Sequence, residues 1–259
     1  MKAAQIDSID GGSVTTPKGF YAGATYAGIK KKDKNSLDLG ILFSEEPCTA
    51  AALFTTNRIK SAPVLLCQQR LQNDRAVAII ANSGCANAST GEQGLADATE
   101  MTALAANSLG AAPEDVLVAS TGVIGQPLPM KLIKAGISQI ILSSDGGHEL
   151  ARAIMTTDTV PKETAVTVRT GNSEFTIGGV AKGSGMIHPN LATMFCFLTT
   201  DAAVEPNFLK SALRQAVDIS FNMISVDTDT SPSDTVLIMA NGLAKNKPIS
   251  KNSQPADTF

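Results

Sequence analysis

Gly178-Gly179-Val180-Ala181-Lys182-Gly183-Ser184-Gly185-Met186-Ile187-His188-Pro189-Asn190-Leu191-Ala192-Thr193-Met194-Phe195-Cys196-Phe197-Leu198 joins a glycine-rich turn to an unbroken apolar run. Glycine adopts backbone conformations closed to other residues, so four of them ahead of one strand mark a tightly bent approach. The run from Met194 to Leu198 shows no polar alternation, as a strand covered on both faces should. Such strands belong to sheets with helices packed on them, so the expected fold is a layered α/β sandwich with mixed sheets.

Outward from this stretch the same pattern recurs. Ala76–Ala81 is apolar and ends at Asn82-Ser83-Gly84, and Val116–Ala119 ends at Ser120-Thr121-Gly122. Ala165–Val168 and Phe175–Ile177 flank Thr170-Gly171-Asn172, which predicts a hairpin. Val236–Met239 is a further buried strand. Between these lie helices. Thr90-Gly91-Glu92-Gln93 has capping-box spacing, with Leu95, Met101, Leu104 and Leu109 following. Phe208, Leu209, Leu213, Ala216, Val217 and Ile219 form a second stripe behind Pro206. Ser253-Gln254-Pro255 resembles a helix start at which the sequence given stops, so truncation is expected, though a frayed polar tail fits those residues as well.

Composition narrows the function. With 259 residues the chain can bury a large core. A net charge of −3 provides no basic surface for nucleic acid. No run approaches the roughly 18 apolar residues of a membrane span. The N-terminus turns polar too early for a secretory signal. Cys48, Cys67, Cys85 and Cys196 are far apart and without His at ligand spacing, so neither zinc nor disulfides are expected, and a reduced cytoplasmic setting is. The aspartate loop Asp227-Thr228-Asp229 lacks the sixth-position glycine of a calcium loop, and Ile238 stands where glutamate is needed, so no metal is expected. No phosphate-cradling glycine motif is present, and no cofactor is expected.

The chemistry centres on Thr193. A threonine hydroxyl after a bent backbone can attack the preceding carbonyl, that of Ala192, through a five-membered ring. Hydrolysis of the ester leaves Thr193 as a new N-terminus. Its α-amine, with an ordinary pKa near ~8, then serves as base for its own hydroxyl. The residues alone favour the plainer reading, a β-branched side chain that merely opens a strand.

The order of motifs separates these readings. Lys182 to Met194 resembles the autoprocessing segment of the ornithine acetyltransferases. Phe54-Thr55-Thr56-Asn57 with Ala62-Pro63-Val64, Asn82 to Ala88, and Ser120-Thr121-Gly122-Val123-Ile124-Gly125 resemble that family's other signatures. So do Ala153 to Asp158, Ser225 to Thr230, and Asn241-Gly242-Leu243-Ala244, in the family's order. Thr228 and Ser231-Pro232-Ser233 depart from the pattern.

The resemblance implies a cut between Ala192 and Thr193, giving an α piece (1–192) and a β piece (from 193) that stay associated as two of each. Thr193 is then the acyl-carrying nucleophile, Thr121 and Gly122 the oxyanion pair, and Thr156 and Lys182 substrate-binding residues. The implied reaction moves acetyl from N-acetylornithine to glutamate, with acetyl-CoA as a further donor in some members. Members of the family continue beyond position 259, where further substrate-binding residues lie, so transfer by this chain alone is expected to be weak. The rival readings are a self-processing aminopeptidase with an N-terminal nucleophile and an inactive fragment.

Overall fold

The computed structural model describes residues 4–30, 36–171, 173–185, 194–227 and 229–259. Its strands are β1 (Gln5–Ser8), β2 (Phe20–Thr25), β3 (Leu39–Phe54), β4 (Arg75–Cys85), β5 (Val116–Val123), β6 (Lys162–Thr170), β7 (Ser173–Lys182), β8 (Phe195–Thr200) and β9 (Thr235–Ala240). Among the described residues they form one sheet in the order β1-β6-β7-β8-β9-β3-β4-β5, with β2 paired to β3. β4 with β5 and β8 with β9 run parallel. The other pairs are antiparallel, so the sheet is mixed.

Five α-helices among the described residues cover it: α1 (Ala62–Arg70), α2 (Gly91–Leu109), α3 (Met130–Ile137), α4 (Gly147–Ala153) and α5 (Pro206–Asp218). Side chains alternate across a strand, so a doubly covered strand must supply two cores. Phe195, Phe197, Leu237 and Met239 enter the core that holds Leu66, Met101 and Leu150 from α1, α2 and α4. Cys196, Val236 and Ile238 enter the other, against Leu209, Leu213 and Val217 of α5. The continuous apolar runs are thereby explained, and the layered α/β class stands.

Several boundaries differ from the sequence reading. β4 and β5 do not end at Asn82 and Ser120. They pair in register through Asn82↔Ser120, Ser83↔Thr121 and Gly84↔Gly122. Parallel pairing holds these polar residues in strand although their side chains are only partly satisfied, Asn82 Oδ1 and Ser120 Oγ having no hydrogen-bond partner among the described residues. Asn82 donates to the Cys85 carbonyl (2.9 Å) and Ser83 to that of Ala153. Thr121 and Gly122 therefore sit in paired strand rather than in a turn. Thr90 does not complete a capping box: its hydroxyl donates to Asn87 Oδ1 (2.8 Å) instead. Leu95 is 40% exposed and Ile219 76%, so each lies outside the stripe it seemed to join. Residues 251–258 form turns, with no helix, and Phe259 packs against Phe175 and Phe208. All four cysteines are buried free thiols. No described helix is long and apolar enough to cross a membrane.

Candidate active site

Lys182 closes β7, directly opposite Phe195 at the start of β8. It is only 2% exposed. An isolated surface lysine would extend into water; here the ammonium lies 4.9 Å from the centre of the Phe195 ring and donates to Thr121 Oγ1 at 2.7 Å. Burial pushes this ammonium down to about 8, against the pull of Asp158 and Asp234, which raise it. An ammonium can only donate. The Thr121 oxygen is thus the acceptor in this contact, and its own hydrogen is left for another group.

Gly122 follows at φ +132°, and Gly84 opposite it at φ +105°. A Cβ on Gly122 would fall 2.3 Å from the Gly84 carbonyl carbon and 2.6 Å from the Cys85 nitrogen. Both the torsion angle and the contact require glycine here. The two strand ends press together with no side chain between them, which holds the backbone beside Thr121 rigid.

Asp158 ties a third segment to the site. Its covered carboxylate accepts from the Gly183 N–H (2.8 Å), the Thr156 N–H (3.3 Å) and Lys162 Nζ. Burial alone would raise this carboxyl; the three hydrogen bonds outweigh burial and hold it below the usual range. Thr157 and Ser184 share a hydroxyl contact of 2.8 Å. The segment carrying Thr156 is in this way fastened to the end of β7.

Asp234 stands just before β9 and is fully buried. Its Oδ1 accepts from the Met194 N–H at 2.9 Å, while the Thr235 N–H donates to the Met194 carbonyl at 3.1 Å. The parallel strands β8 and β9 thus begin locked to one another. Burial pushes the Asp234 carboxyl up to about 8, and the Met194 N–H, Lys182 and Ser231 pull it back. Oδ2 has no hydrogen-bond partner among the described residues.

A cavity of about 260 Å³ opens beside these groups, lined by Lys182, Gly183, Ser184, Met194, Ile224 and Val226 among others. It lies below the roughly 300–1,000 Å³ of drug-sized ligand sites. An apolar wall with two lysines in its lining, Lys162 and Lys182, suits a small, partly apolar anion. A larger hollow of about 700 Å³ lies between β3 and α5, lined by Gln68, Lys210 and Arg214 among others, and no predicted site residue borders it.

The structure brings Thr121, Gly122 and Lys182 together, and Thr156 joins them through Asp158. Ala192 and Thr193 lie outside the described residues, and Met194 is the nearest described neighbour of Thr193. Sequence reasoning missed Asp158 and Asp234. The first was quoted only as part of a motif. The second heads a buried apolar run, where a lone acid is the one available signal.

The model of the ArgJ family matches residues 21–259. A relative described as arginine biosynthesis bifunctional protein ArgJ, from Dehalococcoides mccartyi, is 55% identical over all 259 residues. The chain spans less than two thirds of the length of the curated relatives it matches, 64% in that case. A crystal structure of ArgJ from Bacillus halodurans is 42% identical with a TM-score of 0.69, covering 73% of this chain and 99% of that one. The ornithine acetyltransferase of Mycobacterium tuberculosis, solved in complex with ornithine, is 40% identical with a TM-score of 0.66, covering 73% of this chain and all of that one.

Proposed function

We propose that this chain, which belongs to the ArgJ family, carries the nucleophile and oxyanion site of a self-cleaving glutamate N-acetyltransferase. The bond between Ala192 and Thr193 is cut by the Thr193 hydroxyl, giving pieces 1–192 and 193 onward. N-acetylornithine then acetylates Thr193 and releases ornithine, and glutamate takes the acetyl group. Acetyl-CoA is an additional donor in this reading, the pieces associate as two of each, and the reaction belongs to the cytoplasm. The observation that carries the proposal is the buried contact between Lys182 and Thr121 beside Met194.

In each half-reaction Thr193 Oγ bonds to the acetyl carbonyl carbon, and negative charge collects on the carbonyl oxygen. The Thr121 hydroxyl, its oxygen fixed by Lys182, donates to that oxyanion together with the Gly122 N–H. Rigid donors aimed at developing charge cost little reorganisation during the reaction. The two remaining Lys182 hydrogens face the carboxylate of the N-acetylated amino acid, and Thr156 borders the same end. The lengths of the solved chains of two relatives also fit a protein made of two pieces. Each is matched almost entirely by 73% of these 259 residues, about 189.

Intact mass spectrometry of folded protein tests the cut. Two fragments are expected, and a single species at 26.8 kDa would overturn the mechanism. Thr193→Ala should remain whole, and Thr193→Ser should cleave slowly. Transfer from N-acetylornithine to glutamate, set against hydrolysis of a peptide amide, separates this reading from an aminopeptidase.

A further inference from the structure

The ion pair between Lys162 and Asp158 has two unlike sides. The Asp158 side chain is fully covered, while that of Lys162 is 44% exposed. Asp158 turns its oxygens inward, to the N–H groups of Gly183 and Thr156 as well as to Lys162. The Lys162 ammonium has three hydrogens and gives one to Asp158, so donors remain. Lys162 also lines the cavity of about 260 Å³ with Lys182, Met194, Ile224 and Val226. A molecule entering that cavity therefore meets the cationic half of the pair and not the anionic half.

Register sets where the two ammonium groups stand. Lys162 is paired with Ala181, and Lys182 is the next residue along β7. Side chains alternate across a strand, so the two lysines leave opposite faces of the sheet at its end. Lys182 reaches Thr121 on its side, and Asp158 acts on both lysines. A ligand held by both needs an anionic group at each end. Between them it needs a short apolar stretch to lie along Met194, Ile224 and Val226. That is the chemistry of a short-chain dicarboxylate.

We propose that Lys162 is a specificity-determining residue for the acceptor, holding the side-chain carboxylate of glutamate while Lys182 holds its α-carboxylate. The proposal rests on the reading of this chain as a glutamate N-acetyltransferase. Glutamate and N-acetylornithine share the α-carboxylate and differ at the far end, where one carries a carboxylate and the other an ammonium. An exposed ammonium attracts the first and repels the second. Lys162 thus draws glutamate in and eases ornithine out. It acts on binding alone and exchanges no bond or proton with the acetyl group.

The test is isothermal titration calorimetry of the chain with L-glutamate and with L-glutamine, which has the same length but no charge at its far end. A charge-assisted contact on a half-exposed group is worth roughly five- to tenfold in affinity. The wild-type chain should prefer glutamate by about that factor. Lys162→Met should bind glutamate as weakly as glutamine, with glutamine unchanged and N-acetylornithine bound no less tightly. Lys162→Arg, which keeps the charge, should retain the preference. Equal wild-type affinity for the two amino acids overturns the proposal. So does a Lys162→Met chain that weakens both alike, since that is the signature of a structural role. Should Lys162→Met not fold, a crystal structure of the wild-type chain with glutamate decides. A side-chain carboxylate within about 3.2 Å of Lys162 Nζ supports the proposal, and one held by other groups overturns it. The proposed function is judged separately, by the cut between Ala192 and Thr193. A chain that cuts itself but shows no preference for glutamate overturns this inference alone, and one that neither cuts itself nor binds glutamate overturns both.

Discussion

Thr121 is a hydroxyl with its acceptor side occupied and its hydrogen unspent, which is the state an oxyanion donor needs. Thr121→Ala should lower turnover by roughly two to three powers of ten with little change in KM. Steady-state kinetics check this, and a rise in KM alone would assign Thr121 to ground-state binding instead. Lys182 and Asp234 make a second prediction, about stability. Asp234 titrates in the folded chain at about 8 against an ordinary carboxyl value of 3.8, so its contribution is full below about pH 4 and is lost as pH rises through 8. Lys182 is lowered from 10.5 to about 8, so its contribution is present above 10.5 and is lost as pH falls through 8. Together they place a stability minimum near pH 8. In the uncut Thr193→Ala background, Asp234→Asn should gain in urea midpoint relative to its parent between pH 5 and 8. A gap that does not change with pH would show that the Asp234 charge is not the cause. Thr121 and Lys182 were legible through their place in ordered motifs. Asp234 was not, because nothing local distinguishes an acid that caps two parallel strands from one in solvent.

The elements divide by how far they depend on distant partners. α5 carries its own signal: Leu209, Leu213 and Val217 recur at helical spacing and all three are buried. Leu213→Ala should cost about 2–5 kcal/mol in denaturant unfolding. Ile219→Ser, one residue past the helix on an exposed site, should stay within about 0.5 kcal/mol. Equal costs would mean that the stripe is misplaced. The ends of β4 and β5 were less legible, because Asn82-Ser83-Gly84 and Ser120-Thr121-Gly122 have the composition of turns. Their strand character comes from each other, through parallel pairing. β3, the longest strand, escaped the sequence reading because it changes partners along its length. It pairs with β2 and β4 before an irregularity at Phe43/Cys48 and chiefly with β9 after it. No local period records such an exchange.

At the scale of the whole molecule, the layered α/β architecture was legible because β8 and β9 are apolar on both faces and so require cover on both sides. The neighbours of these two strands were not, since strand order depends on pairings between distant segments. The order places β8 and β9 between β7 and β3, so residues after the proposed cut form the middle of a sheet whose flanks come from residues before it. Neither piece then has a complete sheet of its own. Unfolding the cut protein releases two chains instead of one, and mass action makes its midpoint depend on concentration. Tenfold dilution should lower the thermal midpoint of the cut protein and leave that of Thr193→Ala unchanged, as scanning calorimetry at two concentrations would show. Recovery from urea should likewise become second order in protein, since a bimolecular encounter must precede the complete sheet. The proposed scission at Thr193 would thus turn one chain into a pair of complementary fragments, for which dilution acts as a denaturant.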